Sequence, residues 1–304
     1  MAYGKEKIMK LKESKSDFIF NVVNSIILII VSIVCLYPLV FVVSASISNP
    51  DALVSGKVIL WPVGFSLEGY KATFAYKQTW IGFFNSAFYA ILGTLISLFT
   101  TITAAYPLSR RDFKGRSVFT FIFAFTMWFS GGMIPTYLVV KNLGLLDTRW
   151  ALVLPTGISV YNMLIVKSYF ENNLPDELLE SCKLDGCSDL VFLRKFAIPL
   201  SKPVLAVVTL FNIVGFWNSY FYAFLYISKR ELYPLQIFLR EILLMNQTSD
   251  LIGQLDLASL AKRERLSELI KYSLIVISSF PIIIIYPFIQ KYFVSGILIG
   301  SIKG

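Results

Sequence analysis

Six apolar runs, at residues 18–47, 81–108, 117–140, 150–170, 202–227 and 268–293, leave this chain of 304 residues few ways to fold. A helix rises about 1.5 Å per residue, so each run is long enough to cross the roughly 30 Å hydrocarbon core of a bilayer. Inside that core every backbone N–H and C=O must find its partner within the protein, which makes a helical bundle the expected form. The composition agrees: 56% hydrophobic residues and a mean hydropathy of +0.67 are far from those of a soluble domain. The sequence therefore predicts an all-α, polytopic membrane protein with six transmembrane helices. An even number of crossings puts both termini on one side.

Basic residues set the orientation. Residues 1–17 carry Lys5, Lys7, Lys10, Lys12 and Lys15, and the short loop after the second span carries Arg110, Arg111, Lys114 and Arg116. The positive-inside tendency puts both on the cytoplasmic side. Residues 1–17 then read as a cytoplasmic tail, 18–293 as the transmembrane domain and 294–304 as a second cytoplasmic tail. Although Val43-Ser44-Ala45 mimics a cleavage site, the first run exceeds the about 7–15 apolar residues of a secretory signal and reads as a retained span. Trp80, Trp128 and Trp150 are candidate interface anchors. The formal charge of +9 is scattered among apolar spans instead of lining a stripe, so no nucleic-acid partner is expected. Cys35, Cys182 and Cys187 give no disulfide framework, and the C-x4-C pair lacks further Cys or His ligands for a metal.

Residues 171–203 break the apolar pattern with a polar, heavily punctuated elbow. Asn173 is an expected cap for a first short helix, with Pro175 in its opening turn and Asp176 and Glu177 where the helix dipole favours negative charge. Gly186 is expected to end that helix in a left-handed conformation. A second helix is expected from Ser188, with Asp189 in its first turn, Arg194 and Lys195 near its end, and a stop before Pro199. Between the two lie only the small side chains Ser181, Cys182, Cys187 and Ser188, so another protein surface can approach closely.

Glu180-Ser181-Cys182, then Asp185-Gly186-Cys187, then Pro199 resemble in spacing the EAA loop of binding-protein-dependent ABC importer permeases, with Ser and Cys in place of Ala. Leu193 stands where the family usually has an aromatic, with Phe192 beside it. The resemblance extends to Gly131-Gly132-Met133-Ile134-Pro135-Thr136-Tyr137, Gly144-Leu145-Leu146-Asp147-Thr148, Trp217-Asn218, Tyr233-Pro234-Leu235 and Gln290-Lys291-Tyr292-Phe293-Val294-Ser295-Gly296, which are similar to the carbohydrate-uptake, maltose-importer type. It implies a type I ABC importer permease fold in a bacterial plasma membrane. It implies uptake of an oligosaccharide or polysaccharide fragment, with the elbow docking a separate ATPase. Implied partners are a second, homologous permease in a heterodimer, two ATPase subunits that hold ATP and Mg, and an external sugar-binding protein. The tail after Phe293 resembles tails that reach between ATPase subunits.

The chain itself shows no energy-yielding chemistry. Gly56-Lys57 lacks the upstream glycine and the following hydroxyl of a phosphate-cradling loop, and no span holds paired carboxylates or a histidine. It is not expected to be an enzyme, nor to hold a cofactor or metal of its own. The spans hold no central Asp or Glu, which argues against an ion-coupled transporter. They do hold the neutral polar residues Asn85, Asn162, Asn212, Trp217, Asn218, Tyr220 and Tyr222, densest on the fifth span. Amides beside aromatic faces suit a hydroxyl-rich ligand, so these are the candidate substrate path; interhelical hydrogen bonding is the competing reading for each. The stretch 228–267, expected outside, contains an amphipathic helix at 234–245 with Leu235, Phe238, Leu239 and Ile242 on one side, suited either to docking a binding protein or to packing on its own bundle. A permease for another solute, a channel or secondary transporter, and a membrane scaffold without flux are the alternatives.

Overall fold

A computed structural model describes residues 14–248 and 257–301, and all the elements named among them are helical. Helix α1 (Lys15–Ser46) opens with a capping box in which Ser14 and Asp17 satisfy each other's backbone N–H. Two short helices, α2 (Pro50–Val54) and α3 (Glu68–Ala75), lead to α4 (Lys77–Ser109), the post around which the bundle is built. Helices α5 (Arg116–Trp128), α6 (Met133–Asn142), α7 (Trp150–Val153) and α8 (Val160–Asn173) follow. The elbow comprises α9 (Asp176–Leu184), α10 (Asp189–Phe192), a π-turn (Leu193–Ala197) and α11 (Ile198–Leu200). Then come α12 (Lys202–Trp217), α13 (Phe221–Tyr226), α14 (Leu235–Thr248) and α15 (Leu257–Ser301).

Helix α4 packs against α12, α8, α14, α5 and α7. Its buried side is a ladder of small residues, Ser86, Ala90, Gly93, Ser97, Thr101 and Ala105. Lipid tails are as apolar as leucine, so helices in a bilayer gain little by burying large aliphatics against each other; small residues let backbones approach and dispersion contacts accumulate. At Gly93 an added Cβ would lie 2.6 Å from the Phe216 ring of α12. By contrast, α1 buries only Ser44, Ala45 and Ser46, at its last turn. Among the described residues its ring contact to the bundle is Phe41 edge-on to Tyr272 of α15, at 5.7 Å.

Three of the six expected crossings are not continuous helices. The run 117–140 is α5 and α6, bent by 112° at Phe129–Gly132, where Gly132 takes φ +88°. The run 150–170 is α7 and α8, interrupted by Leu154–Ser159, a segment that holds Pro155 and Gly157. The run 202–227 breaks after Trp217 and resumes as α13. Among the described residues, three helices are long and apolar enough to cross alone, and up to five if each bent pair counts as one. Helix α15 passes through Pro281 and Pro287 and remains helical to Ser301, so the expected tail at 294–301 continues that helix. It begins at Leu257, inside the stretch expected to be an external loop. Residues 1–13, 249–256 and 302–304 of the expected tails and loop lie outside the described residues.

Candidate functional site

The elbow folds as its punctuation dictates, with two differences. Helix α9 ends in a Schellman arrangement: Gly186 at φ +75°, its N–H donating to Lys183 O at 3.0 Å, and Cys187 N–H donating to Cys182 O at 2.8 Å. Ser188 caps the next helix, its Oγ accepting from Val191 N at 3.4 Å. Asn173, however, belongs to the end of α8, where its amide donates to Tyr169 O, and Pro175 occupies the cap position of α9. The second helix does not stop before Pro199. The π-turn widens the ladder, Ile198 N–H reaching back to Leu193 O, and so absorbs the proline's missing donor and ring clash; α11 ends only at Leu200. The chain then turns by 81° into α12.

One face of α9 is fixed and the other is open. Leu179 and Cys182 bury against Phe170, Phe192, Leu193 and Tyr106. Glu180, Ser181, Asp185, Gly186 and Pro199 are exposed, and Cys187 is half-buried. Beside them Leu184 is 89% and Leu190 64% exposed, an apolar pair that no described residue covers. The elbow thus presents a carboxylate, a tight glycine turn and two bare leucines on a rigid mount.

The mount includes residues that the sequence pointed to only as orientation markers. Lys183 of α9 pairs with Asp112 at 3.0 Å, Arg110 pairs with the same carboxylate at 3.0 Å, and Arg111 reaches Asp176 at 3.2 Å. The Arg110 side chain, and after it Lys183, holds the Asp112 carboxyl well below the usual carboxylate range. The loop between α4 and α5 therefore clasps the elbow to the end of α4. The lone acidic residue Asp112 inside the basic cluster at 110–116 was the available signal.

The candidate path residues divide into two groups. Asn162, Asn212 and Tyr222 line one cavity of about 280 Å³, together with Thr156, Ser159 and Ser219. That size is close to the lower end of small-molecule sites, about 300 Å³. Asn162 Nδ2 donates to Asn212 Oδ1 at 3.1 Å, while Asn212 Nδ2 is buried without a partner among the described residues. Asn218 and Tyr220 sit in the break between α12 and α13 and are not among the lining residues; Asn218 Oδ1 accepts from Gln236 of α14 at 3.3 Å. Asn85 and Trp217 do not reach this cavity. Trp217 Nε1 donates to Ser278 O at 2.8 Å and its ring meets Phe83 edge-on. Asn85 donates to Glu231 O and Tyr233 O and accepts from Arg149. Both do the interhelical work that was their competing reading.

The cavity lies where the helices are broken. Thr156 and Ser159 belong to the interruption between α7 and α8, and Ser219 to that between α12 and α13. At membrane depth, irregular backbone is tolerated where it is buried in protein or lines a water-filled space. Thr100 Oγ1 satisfies one loose carbonyl of the segment, Gly157 O, at 2.6 Å, while Thr156 and Ser159 line the cavity. The amphipathic face of α14 is already spent: Leu235 and Phe238 are buried against α4 and α15, with Leu239 and Ile242 packed beside them. A docking role would have to use its other face. Asp147, in the left-handed region at φ +56°, accepts from Ser228 N and Lys229 N and so ties the loop before α7 to the end of α13.

The model of the binding-protein-dependent transport system inner membrane component family matches residues 102–299. The chain is 42% identical over 278 residues to the polygalacturonan/rhamnogalacturonan transport system permease protein YtcP of Bacillus subtilis (strain 168), covering 91% of this chain and 96% of that one. It is 40% identical to protein LplC of the same organism, covering 98% and 99%. A chain in the crystal structure of a bacterial ABC transporter involved in the import of the acidic polysaccharide alginate is 36% identical, with a TM-score of 0.84 over 93% of this chain and 100% of that one.

Proposed function

Since this chain belongs to the binding-protein-dependent transport system inner membrane components, we propose that it forms half of the translocation path of an ABC importer for an oligosaccharide or polysaccharide fragment. The observation that carries this reading is the cavity bordered by two broken crossings and lined by Asn162, Asn212, Ser219 and Tyr222. Its neutral donors and acceptors suit hydroxyl groups, and the buried Asn212 Nδ2 is a donor waiting for one. The names of YtcP and of the alginate transporter support a saccharide.

A homologous second permease would close the other half of the path. The exposed elbow face, with Glu180, Ser181, Asp185, Gly186 and Pro199 around Leu184 and Leu190, suits a groove on each of two ATPase subunits' folds, one groove per permease. Those subunits would hold ATP and Mg, and an external sugar-binding protein would deliver the cargo, leaving this chain non-enzymatic. In that orientation the elbow and both termini are cytoplasmic. The test is mass spectrometry and ATP-driven uptake by the purified complex: ATPase and binding-protein subunits should co-purify, and Gly186→Pro should leave the protein in the membrane while uptake falls at least tenfold. Normal uptake by Gly186→Pro would overturn the elbow's role, and uptake that survives ATP depletion would overturn the importer.

A further inference from the structure

We infer that Cys182 and Cys187 form a redox-active dithiol that peroxide closes to a disulfide across the elbow, and that closing it uncouples the transporter reversibly. The site goes beyond the docking role proposed above, and its effect on uptake rests on that role. The two residues hold the C3 and C″ positions of the Schellman turn that ends α9, where side chains commonly meet. Cys187 N–H donates to Cys182 O at 2.8 Å. With standard backbone dimensions that bond leaves the two Cα atoms no more than about 6.7 Å apart, within the about 4.4–6.8 Å that a disulfide spans. Both side chains pack in one cluster with Phe170, Phe192 and Leu193, and both thiols are free.

The two thiols differ in a way that orders the chemistry. Cys187 is half-buried, whereas Cys182 is 8% exposed. Burial, and after it the neighbouring Cys187 thiol, pushes the Cys182 thiol above its ordinary value, so it stays protonated at neutral pH. Cys187 as thiolate therefore attacks first. Its sulfur takes one oxygen of hydrogen peroxide as the O–O bond breaks, and the proton that Cys187 gave up completes the first water. The Cys182 sulfur then displaces the sulfenic oxygen, which leaves with the Cys182 proton as a second water. The two cysteines lose two electrons and the peroxide gains them. The ring closed by the new bond contains Lys183, Leu184, Asp185 and Gly186. Those residues supply the clasp on Asp112, one of the two bare leucines and the tight turn of the docking face, so oxidation reaches the clasp and the docking surface together.

The experiment uses the assembled transporter in proteoliposomes, with Cys35→Ser in this chain so that only the pair remains, hydrogen peroxide as the oxidant and dithiothreitol as the reductant. Trypsin cuts after Lys183, inside the ring, so closure is read by mass spectrometry as residues 168–183 and 184–194 held together until they are reduced. Peroxide should produce that linked species and lower ATP-driven uptake at least fivefold, and the reductant should restore uptake to within twofold of the untreated value. Cys182→Ala and Cys187→Ala, each compared with its own untreated sample, should give no linked species and change uptake less than twofold. No linked species in the treated parent would overturn the site. A linked species with uptake unchanged would overturn the switch and leave standing the elbow's docking role, which Gly186→Pro tests separately. Equal peroxide sensitivity in the parent and both alanine variants would place the loss in another subunit and overturn the switch as well.

Discussion

The two ends of α4 are fastened by different chemistry. At its N-terminal end the fastening is neutral and buried: Asn85 holds the carbonyls of Glu231 and Tyr233, Tyr89 OH donates to Leu232 O at 2.8 Å, and Ser86 Oγ accepts from Leu235 N at 2.9 Å. There α4 and α14 come so close that a Cβ on Gly82 would lie 2.9 Å from the Leu235 Cα. At its C-terminal end the fastening is ionic and exposed, with Asp112 55% and Lys183 45% exposed in their pair, and Arg111 79% exposed in its pair with Asp176. Buried neutral hydrogen bonds are insensitive to salt and costly to break, whereas exposed ion pairs are worth about 0–1 kcal/mol and exchange readily with water. One end keeps a loop in place by neutral bonds. The other adds exchangeable ion pairs to the buried contacts of α9, an arrangement that suits the coupling role proposed for the elbow.

The largest effect is expected where a buried bond is lost. Asn85→Leu fills similar space but strands two carbonyls and the Arg149 guanidinium, and leaving one such group unpaired costs about 1–3 kcal/mol. Thermal unfolding of the detergent-solubilised protein should shift down by several degrees, equally at low and high salt. An unchanged melting temperature would mean that water replaces the amide and that this end is no more fixed than the elbow.

How far this arrangement could be read in advance depends on which property the sequence encodes directly. The elbow was legible because Gly186 and Ser188 are stereochemical instructions: a left-handed residue and a side-chain cap are needed at those positions whatever packs around them. Continuity of the crossings was not, because an apolar run reports the surrounding solvent and says little about backbone geometry. Gly131-Gly132, Pro155 with Gly157, and Asn218 mark the breaks, yet each is also tolerated inside a membrane helix. Among the polar residues, residue type did not distinguish Asn85 from Asn212, since either amide suits a carbonyl or a ligand; what separates them is whether loop carbonyls 146 and 148 residues away happen to fill the site. The most apolar run, α1, proved the least embedded of the three continuous candidate crossings, because a helix that lipid already satisfies needs little protein around it.

A smaller effect on stability, but a larger one on coupling, is expected at the ionic end. Asp112→Lys should change the melting temperature by no more than about 2 °C, because exposed pairs contribute below about 1 kcal/mol. It should nevertheless lower uptake per ATP hydrolysed severalfold, since Lys183 would then face a like charge and the clasp on α9 would open. Combining it with Lys183→Asp restores opposite charges and should recover most of the coupling. A double variant as uncoupled as the single one would show that Asp112 acts through Arg110 alone.

The smallest effect is expected from pH, and its sign follows from the direction of the Asp112 shift. A carboxylate whose folded-state pKa is depressed contributes its stabilisation in full above the unfolded value of about 4 and loses it as pH falls through the lower folded value. Arg110 first and Lys183 second produce that depression, and an arginine keeps its charge across pH 5 to 8. The clasp should therefore stay closed across that range, and the ratio of uptake to ATP hydrolysis in the wild type should differ by less than about twofold between pH 5.5 and 7.5 once the same ratio for Asp112→Asn is taken as the reference. Should the two proteins converge already at pH 5.5, the carboxylate would be protonating above its ordinary value of about 4, the opposite of the depression that Arg110 and Lys183 produce. The ion pairs at this end would then be too weak to guide the elbow, and the contrast with the buried end of α4 would be one of strength alone.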